Sequence, residues 1–114
     1  MSNFKKSFKV DGKPIGDGYP ASIIAEAGVN HFGDLKKAYQ LIDLACEAKA
    51  DFFKIQHYKT ENLVGSIAPE WIERLKEKEL TDDSVLKIRD KCNEKGISFL
   101  CTAHEQESLE FLDK

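Results

Sequence analysis

The chain has 114 residues, 41% of them hydrophobic, with 17 Lys and Arg against 20 Asp and Glu for a net charge of −3. That length suits one ordinary domain with a modest core. The charge balance lacks the clustered basic surface that nucleic acid or an anionic membrane would need, and no apolar run approaches the roughly twenty residues of a membrane span. The opening MSNFKKSFKVDGK carries lysines with no apolar stretch behind them, which predicts no signal peptide and a cytoplasmic location. Cys46, Cys92 and Cys101 form no C-x-x-C pair. Their places in predicted helices and a strand fit small hydrophobes in a reducing compartment.

Residues 4–10 read as a short strand in which Phe4, Phe8 and Val10 alternate with polar residues, and Asp11-Gly12 is a hairpin-type turn signal. Residues 1–20 are therefore expected to form an N-terminal β-hairpin extension, plugging one end of a larger repeat. After Pro20 the pattern becomes β-loop-α. Ser22–Ala27 is an apolar strand ending in the Gly-punctuated loop G-V-N-H-F-G. Asp34 is positioned to cap a helix reaching about Ala48, with Leu35, Ala38, Leu41, Ile42, Ala45 and Cys46 on one face. Lys49 stands where a glycine would usually close such a helix.

Phe52–Tyr58 is rich in strand-favouring residues. Residues 69–79 suit a short helix with Pro69 in its first turn, and T-D-D-S at 81–84 opens another that Gly96 closes. Ile97–Thr102 is a third strand, and His104–Lys114 begins a further helix. Alternating strands and amphipathic helices predict an α/β fold with a parallel sheet and right-handed crossovers. An unpaired strand edge is a poor end for such a sheet. A closed (β/α)₈ barrel takes about 250 residues. Residues 21–114 are thus expected to be about three βα units, as at the start of a TIM barrel, in a truncated chain or in one completed by another copy of itself.

In parallel α/β folds ligands gather at the carboxyl ends of the strands. Those ends hold Glu26, Asn30 and His31; Lys54 and Gln56; and Thr102 and His104. Side chains alternate along a strand, so Lys54 and Gln56 share one face while Phe53 and Ile55 take the other. If Phe53 and Ile55 pack under helices, Lys54 and Gln56 point into the barrel mouth. An ammonium there needs a partner. That partner is either the phosphate or carboxylate of a substrate or Glu26, and a self-neutralising Lys54–Glu26 pair is an open structural alternative. His31, His57 and His104 each follow a different strand, but no close ligand spacing recommends them as a three-histidine metal site. His31 suits ordering its loop or touching a substrate.

Three blocks carry a resemblance. I-I-A-E-A-G-V-N-H-F-G-D at 23–34, A-x-A-D-F-F-K-I-Q-H-Y-K at 48–59 and E-K-G-I-S-F-L-C-T-A-H at 94–104 occur in that order, with E-N-L-V at 61–64 between them. The chain resembles the amino-terminal part of the sialic acid synthase (N-acetylneuraminate synthase) family. The resemblance implies a (β/α)₈ barrel enzyme that condenses phosphoenolpyruvate with N-acetylmannosamine or a related, in some members phosphorylated, sugar. Its products would be a nine-carbon 2-keto acid and phosphate. A divalent metal, Mn²⁺ or Mg²⁺, would assist, and the complete enzyme would be a homodimer.

By the same resemblance Glu26 and Lys54 are the catalytic candidates. Glu26 would bind sugar hydroxyls, and Lys54 the anionic groups of phosphoenolpyruvate. Gln56 would contact the sugar and Thr102 would donate to phosphoenolpyruvate, with Asn30 and His31 as further substrate contacts. The third block reads C-T-A-H where the family has S-T-P-F, so His104 inherits no role. The metal ligands, further lysines and a carboxyl-terminal domain are expected outside these residues, which alone should bind Mn²⁺ or Mg²⁺ no better than any acidic surface. The isolated chain is therefore expected to be inactive. Two other readings stand beside this one. One is a non-catalytic piece completed by another chain; the other is a Schiff-base aldolase-type barrel with Lys54 as nucleophile.

Overall fold

The computed structural model describes residues 4–114. The first three residues of the 1–20 extension lie outside the described residues. Ser7–Val10 (β1) and Lys13–Gly16 (β2) pair antiparallel through a two-residue turn at Asp11 and Gly12, both with positive φ as the hairpin signal requires. The strand expected at 4–10 is shorter because its partner ends at Gly16, which pairs with Ser7. The Lys13 ammonium stands 5.4 Å from the centre of the Phe52 ring. The hairpin thus reaches the first residue of the central strand.

Three parallel strands form the sheet: Ile24–Gly28 (β3), Phe52–His57 (β4) and Ser98–Ala103 (β5), in that spatial order. Two of them start later than their apolar runs, for a local reason in each case. The Ile23 amide donates to the Asp51 carboxylate, at 2.7 Å, instead of entering the ladder. The Ile97 amide bonds back to the Cys92 carbonyl as part of a helix end.

The helix Leu35–Glu47 (α1) starts on Asp34, whose carboxylate accepts from the amides of Lys36 and Lys37. Its end settles the oddity at Lys49, which itself adopts the left-handed conformation (φ 58°) so that the amides of Lys49 and Ala50 satisfy the carbonyls of Cys46 and Ala45. Thr60–Leu63 (α2) is a single helical turn in a stretch expected to be loop. Pro69–Lys76 (α3) ends three residues earlier than the pattern suggested, and buries none of its residues. Asp82–Lys95 (α4) starts on the Thr81 hydroxyl and stops at left-handed Gly96. Gln106–Leu112 (α5) begins after His104, because the His104 amide donates to the His57 carbonyl and the Glu105 carboxylate supplies the cap.

The core lies between the sheet and the helices α1 and α4. Ala38, Ile42 and Ala45 of α1 and Val85, Ile88 and Cys92 of α4 pack on Phe53 and Ile55 of β4, with Ala27, Leu80 and Ile97. These are the apolar positions that helical spacing selects. The loop after β3 is locked onto the link between α3 and α4. A Cβ placed on Gly33 (φ 70°) would stand 2.8 Å from the Glu77 carbonyl oxygen, whereas one on Gly96 (φ 76°) would meet nothing within 4 Å.

The two glycines give a paired test. Gly96→Ala should cost about 1 kcal/mol, the penalty of a left-handed alanine. Gly33→Ala adds a backbone clash to that penalty and should cost at least about 2 kcal/mol. Urea unfolding of both variants checks the order, and equal losses would mean that the 28–33 loop is not held against residues 77–79.

Candidate functional site

The register of the sheet builds the site. Glu26 of β3 pairs with Lys54 of β4, which pairs with Leu100 of β5; one layer further on, Gln56 pairs with Thr102. In-register parallel neighbours share a face, so Glu26, Lys54, Gln56 and Thr102 project together from the side of the sheet away from α1 and α4. The opposite side of β4 is shut: Phe53 is 1% exposed and Ile55 0%. A register shift between Glu26 and Gly28 bends β3 at this level, the kind of irregularity that re-aims a side chain.

The Lys54 ammonium lies 2.9 Å from the Glu26 carboxylate, with 32% and 40% of the two side chains exposed. A Cβ on Gly28 would stand 3.5 Å from Glu26 Oε1 and 3.9 Å from the Gln56 amide, so these two groups also converge. The result is a carboxylate, an ammonium and an amide side by side, open to solvent, with the exposed Thr102 beside them. Such a set can pair with an anion and exchange hydrogen bonds with hydroxyls.

Asn30 is exposed in the loop beyond β3, its amide bonded to the Ala27 carbonyl. His31 is fully buried. Its Nδ1 accepts from the Gly33 amide at 3.0 Å, so neutral His31 carries its proton on Nε2, which among the described residues makes no hydrogen bond of good geometry. Burial holds its pKa below the usual histidine value, against a smaller pull from the Gly28 backbone. The ring is thus bonded to the backbone of its own loop.

A second polar cluster surrounds the exit of β4. His57, fully buried, donates from Nε2 to Asp82 Oδ1 at 2.8 Å, and the Lys59 ammonium reaches the same oxygen at 2.7 Å. The amide of Lys59 donates to Glu105 and that of Thr60 to Glu79. The Asp82 carboxyl is held below the usual range first by the Lys59 bond, with His57 adding to it against burial. For Glu79, burial alone would raise the pKa, but bonds from Thr60 and Lys76 outweigh it. Glu105 behaves likewise, through Ser108, Lys59 and Asn62. Buried Tyr58 donates to the Leu75 carbonyl, and burial, with Glu79, pushes its hydroxyl up to about 12.

His104 is exposed, and its ring stands edge-on to Tyr58, 6.5 Å between ring centres. His31, His57 and His104 thus serve three separate local settings. Among the described residues no group of three or more His, Cys, Asp or Glu is placed to hold a metal ion. The described residues do not fit a divalent-metal site. Cys92 and Cys101 are pushed up to about 12 by burial, which leaves them thiols at neutral pH. No helix among the described residues is long and apolar enough to cross a membrane.

Reading the chain alone missed the acidic cluster. Asp82 shows in the sequence only as part of a helix-opening T-D-D-S, and Glu79 and Glu105 only as surface charges. The available signal was weak: acidic residues at the start of the helices that follow β4 and β5, where the chain returns to the same end of the sheet.

Residues 41–114 match the model of the NeuB family. An N,N'-diacetyllegionaminic acid synthase from Legionella pneumophila is 37% identical over 91% of this chain and 33% of its own length. An N-acetylneuraminate-9-phosphate synthase from Homo sapiens is 30% identical over 89% of this chain and 32% of its own. The crystal structure of an N-acetylneuraminic acid synthetase from Leptospira borgpetersenii, in complex with citrate, superposes with a TM-score of 0.88 at 34% identity. That match covers 94% of this chain and 37% of the other. The chain spans about a third of the length of the curated relatives it matches.

The electrostatics set an expected pH response. A histidine whose folded pKa is lowered takes up its proton more readily in the unfolded chain, so stability falls as pH drops below the ordinary histidine value of 6.5. Carboxylates with lowered folded pKa values contribute stability above their ordinary values of 3.8 and 4.5 and lose it as pH falls through the folded ones. Melting temperature should therefore decline in two stages, one below about pH 6.5 and a steeper one below about pH 4.5. His31→Gln should remove the upper stage and leave the lower; an unchanged upper stage would assign it to another group.

Proposed function

The chain belongs to the NeuB family, and from that premise we propose that it supplies the amino-terminal substrate contacts of a sialic acid synthase-type enzyme. In this reading residues 21–114 are the first three βα units of a (β/α)₈ barrel, and the hairpin of the 1–20 extension closes the barrel's amino end. The reaction joins phosphoenolpyruvate to an N-acetylated amino sugar with consumption of one water, giving a nine-carbon 2-keto acid and phosphate. Activity is assigned to the complete polypeptide, of which this chain is about a third by the length of its relatives. The complete enzyme would be a cytoplasmic homodimer. Mn²⁺ or Mg²⁺ would be held by residues outside this chain.

The observation that carries this reading is the half-open Lys54–Glu26 pair at the level where Gln56 and Thr102 also emerge. A pair whose side chains are 32% and 40% exposed is screened by water and contributes little to stability. Its position suits ligand exchange better than scaffolding. Lys54 would leave Glu26 to bind the phosphate or carboxylate of phosphoenolpyruvate, by a charge-assisted bond about twice as strong as a neutral one. The freed Glu26 carboxylate would accept from hydroxyls of the sugar, whose aldehyde carbon the enol carbon attacks. Gln56 would orient the sugar, and the Thr102 hydroxyl would donate to phosphoenolpyruvate. Asn30, exposed on the adjoining loop, would add a sugar contact, with His31 shaping that loop from beneath. Lys54 would offset negative charge as phosphate departs.

The aldolase-type alternative asks for a lysine in an apolar pocket. Lys54 instead has a carboxylate at 2.9 Å and open solvent.

Lys54→Met, made in the complete polypeptide, separates a substrate contact from a structural pair. The kcat/KM for phosphoenolpyruvate should fall at least about 100-fold, equal to ~2.7 kcal/mol, while melting temperature and sugar affinity change little. A destabilised variant that keeps its turnover per folded molecule would make Lys54 the structural partner of Glu26.

A further inference from the structure

The cluster around His57 has no part in the contacts assigned above, yet it adjoins them. His57 directly follows Gln56, and its ring lies on the opposite, closed side of β4. There it is wedged between two helices. Nε2 donates to Asp82, the first residue of α4, and the ring meets the edge of Phe111 of α5 at 5.5 Å between centres. Its carbonyl accepts from the His104 amide, which ties the same point to β5. The oxygen of Asp82 that takes the imidazole also takes the Lys59 ammonium, so residues on both sides of Tyr58 converge on one carboxylate.

We propose that His57 is a positioning residue: its bond to Asp82 fixes the carboxyl end of β4 and so sets the direction of Gln56 toward the acceptor sugar. This rests on the function proposed above. Side chains on a strand alternate, so a ring clamped on one side fixes the backbone from which the next residue projects to the other. The clamp matters at this point because the chain leaves β4 for α2 and α3; α3 buries none of its own residues and meets the strand end through the Tyr58 bond to the Leu75 carbonyl, one residue beyond His57. Asp82 of α4 and Phe111 of α5 meet the ring from two different elements, and Lys59 holds the same Asp82 oxygen, which gives the ring one position rather than several. Lys54 is less dependent on the clamp, since it lies three residues before His57 and is paired on both sides, with Glu26 and with Leu100.

The test uses the complete polypeptide and two variants. His57→Phe keeps the ring and its contact with Phe111 but removes the donor to Asp82. His57→Gln restores a donor near the place of Nε2. The KM for the acceptor sugar should rise about 10-fold in the phenylalanine variant, because a small misplacement of an orienting group has costs of that order or more. The KM for phosphoenolpyruvate should change less than about 2-fold, and the glutamine variant should recover most of the loss. If both variants only melt earlier and keep both KM values per folded molecule, His57 is packing and the proposal is overturned. If the unaltered polypeptide makes no product from phosphoenolpyruvate and any N-acetylated amino sugar, the proposed function fails, and this positioning role falls with it.

Discussion

The alternation of β4 is the constraint on which the rest depends. It is the middle strand, bonded on both edges, so its backbone cannot rotate without breaking two ladders. One row of its side chains, Phe53, Ile55 and His57, is sealed under helices. The other row runs from Phe52, beside the hairpin lysine, through Lys54 to Gln56. Burying the first row on both α1 and α4 removes the freedom of the second, which leaves Lys54 and Gln56 preorganised without any loop to hold them.

A division of labour follows along the chain. Apolar burial fixes the strands, and short-range caps fix where helices begin: Asp34, Thr81 and Glu105 each satisfy amides that would otherwise lack partners. Long-range carboxylates then tie the segment after β4 to elements that return much later. Asp82 and Glu105 reach residues 23 to 46 positions away. These contacts sit at the same end of the sheet as Lys54, Gln56 and Thr102. The acidic residues nearby are engaged by backbone amides and a lysine, which keeps their charges away from that opening.

Much of this was legible in the sequence, and particular residues show why. Period-two alternation separated Lys54 and Gln56 from Phe53 and Ile55 before any coordinates, because the pleat admits no other arrangement. The six apolar positions of α1 all lie toward the core, the buried Ala38, Ile42 and Ala45 among them. What could not be read was set by pairing across distance. The single turn at Thr60–Leu63 has no periodic pattern, and the start of β3 at Ile24 depends on a bond from Ile23 to Asp51. His57 looked like any strand-end histidine until Asp82 was placed against it. His31 was expected to order the loop or meet a ligand; its complete burial and its bond from the Gly33 amide depend on the folded loop, which no local pattern announces.

The central claim is that Lys54 exchanges Glu26 for an anionic substrate. A crystal structure of the complete polypeptide with phosphoenolpyruvate bound tests it most directly. The account predicts a phosphate or carboxylate oxygen within about 3 Å of Lys54 Nζ, with the Thr102 hydroxyl also in contact and Glu26 turned toward the place of the sugar. Phosphoenolpyruvate bound elsewhere, with Lys54 still joined only to Glu26, would contradict it.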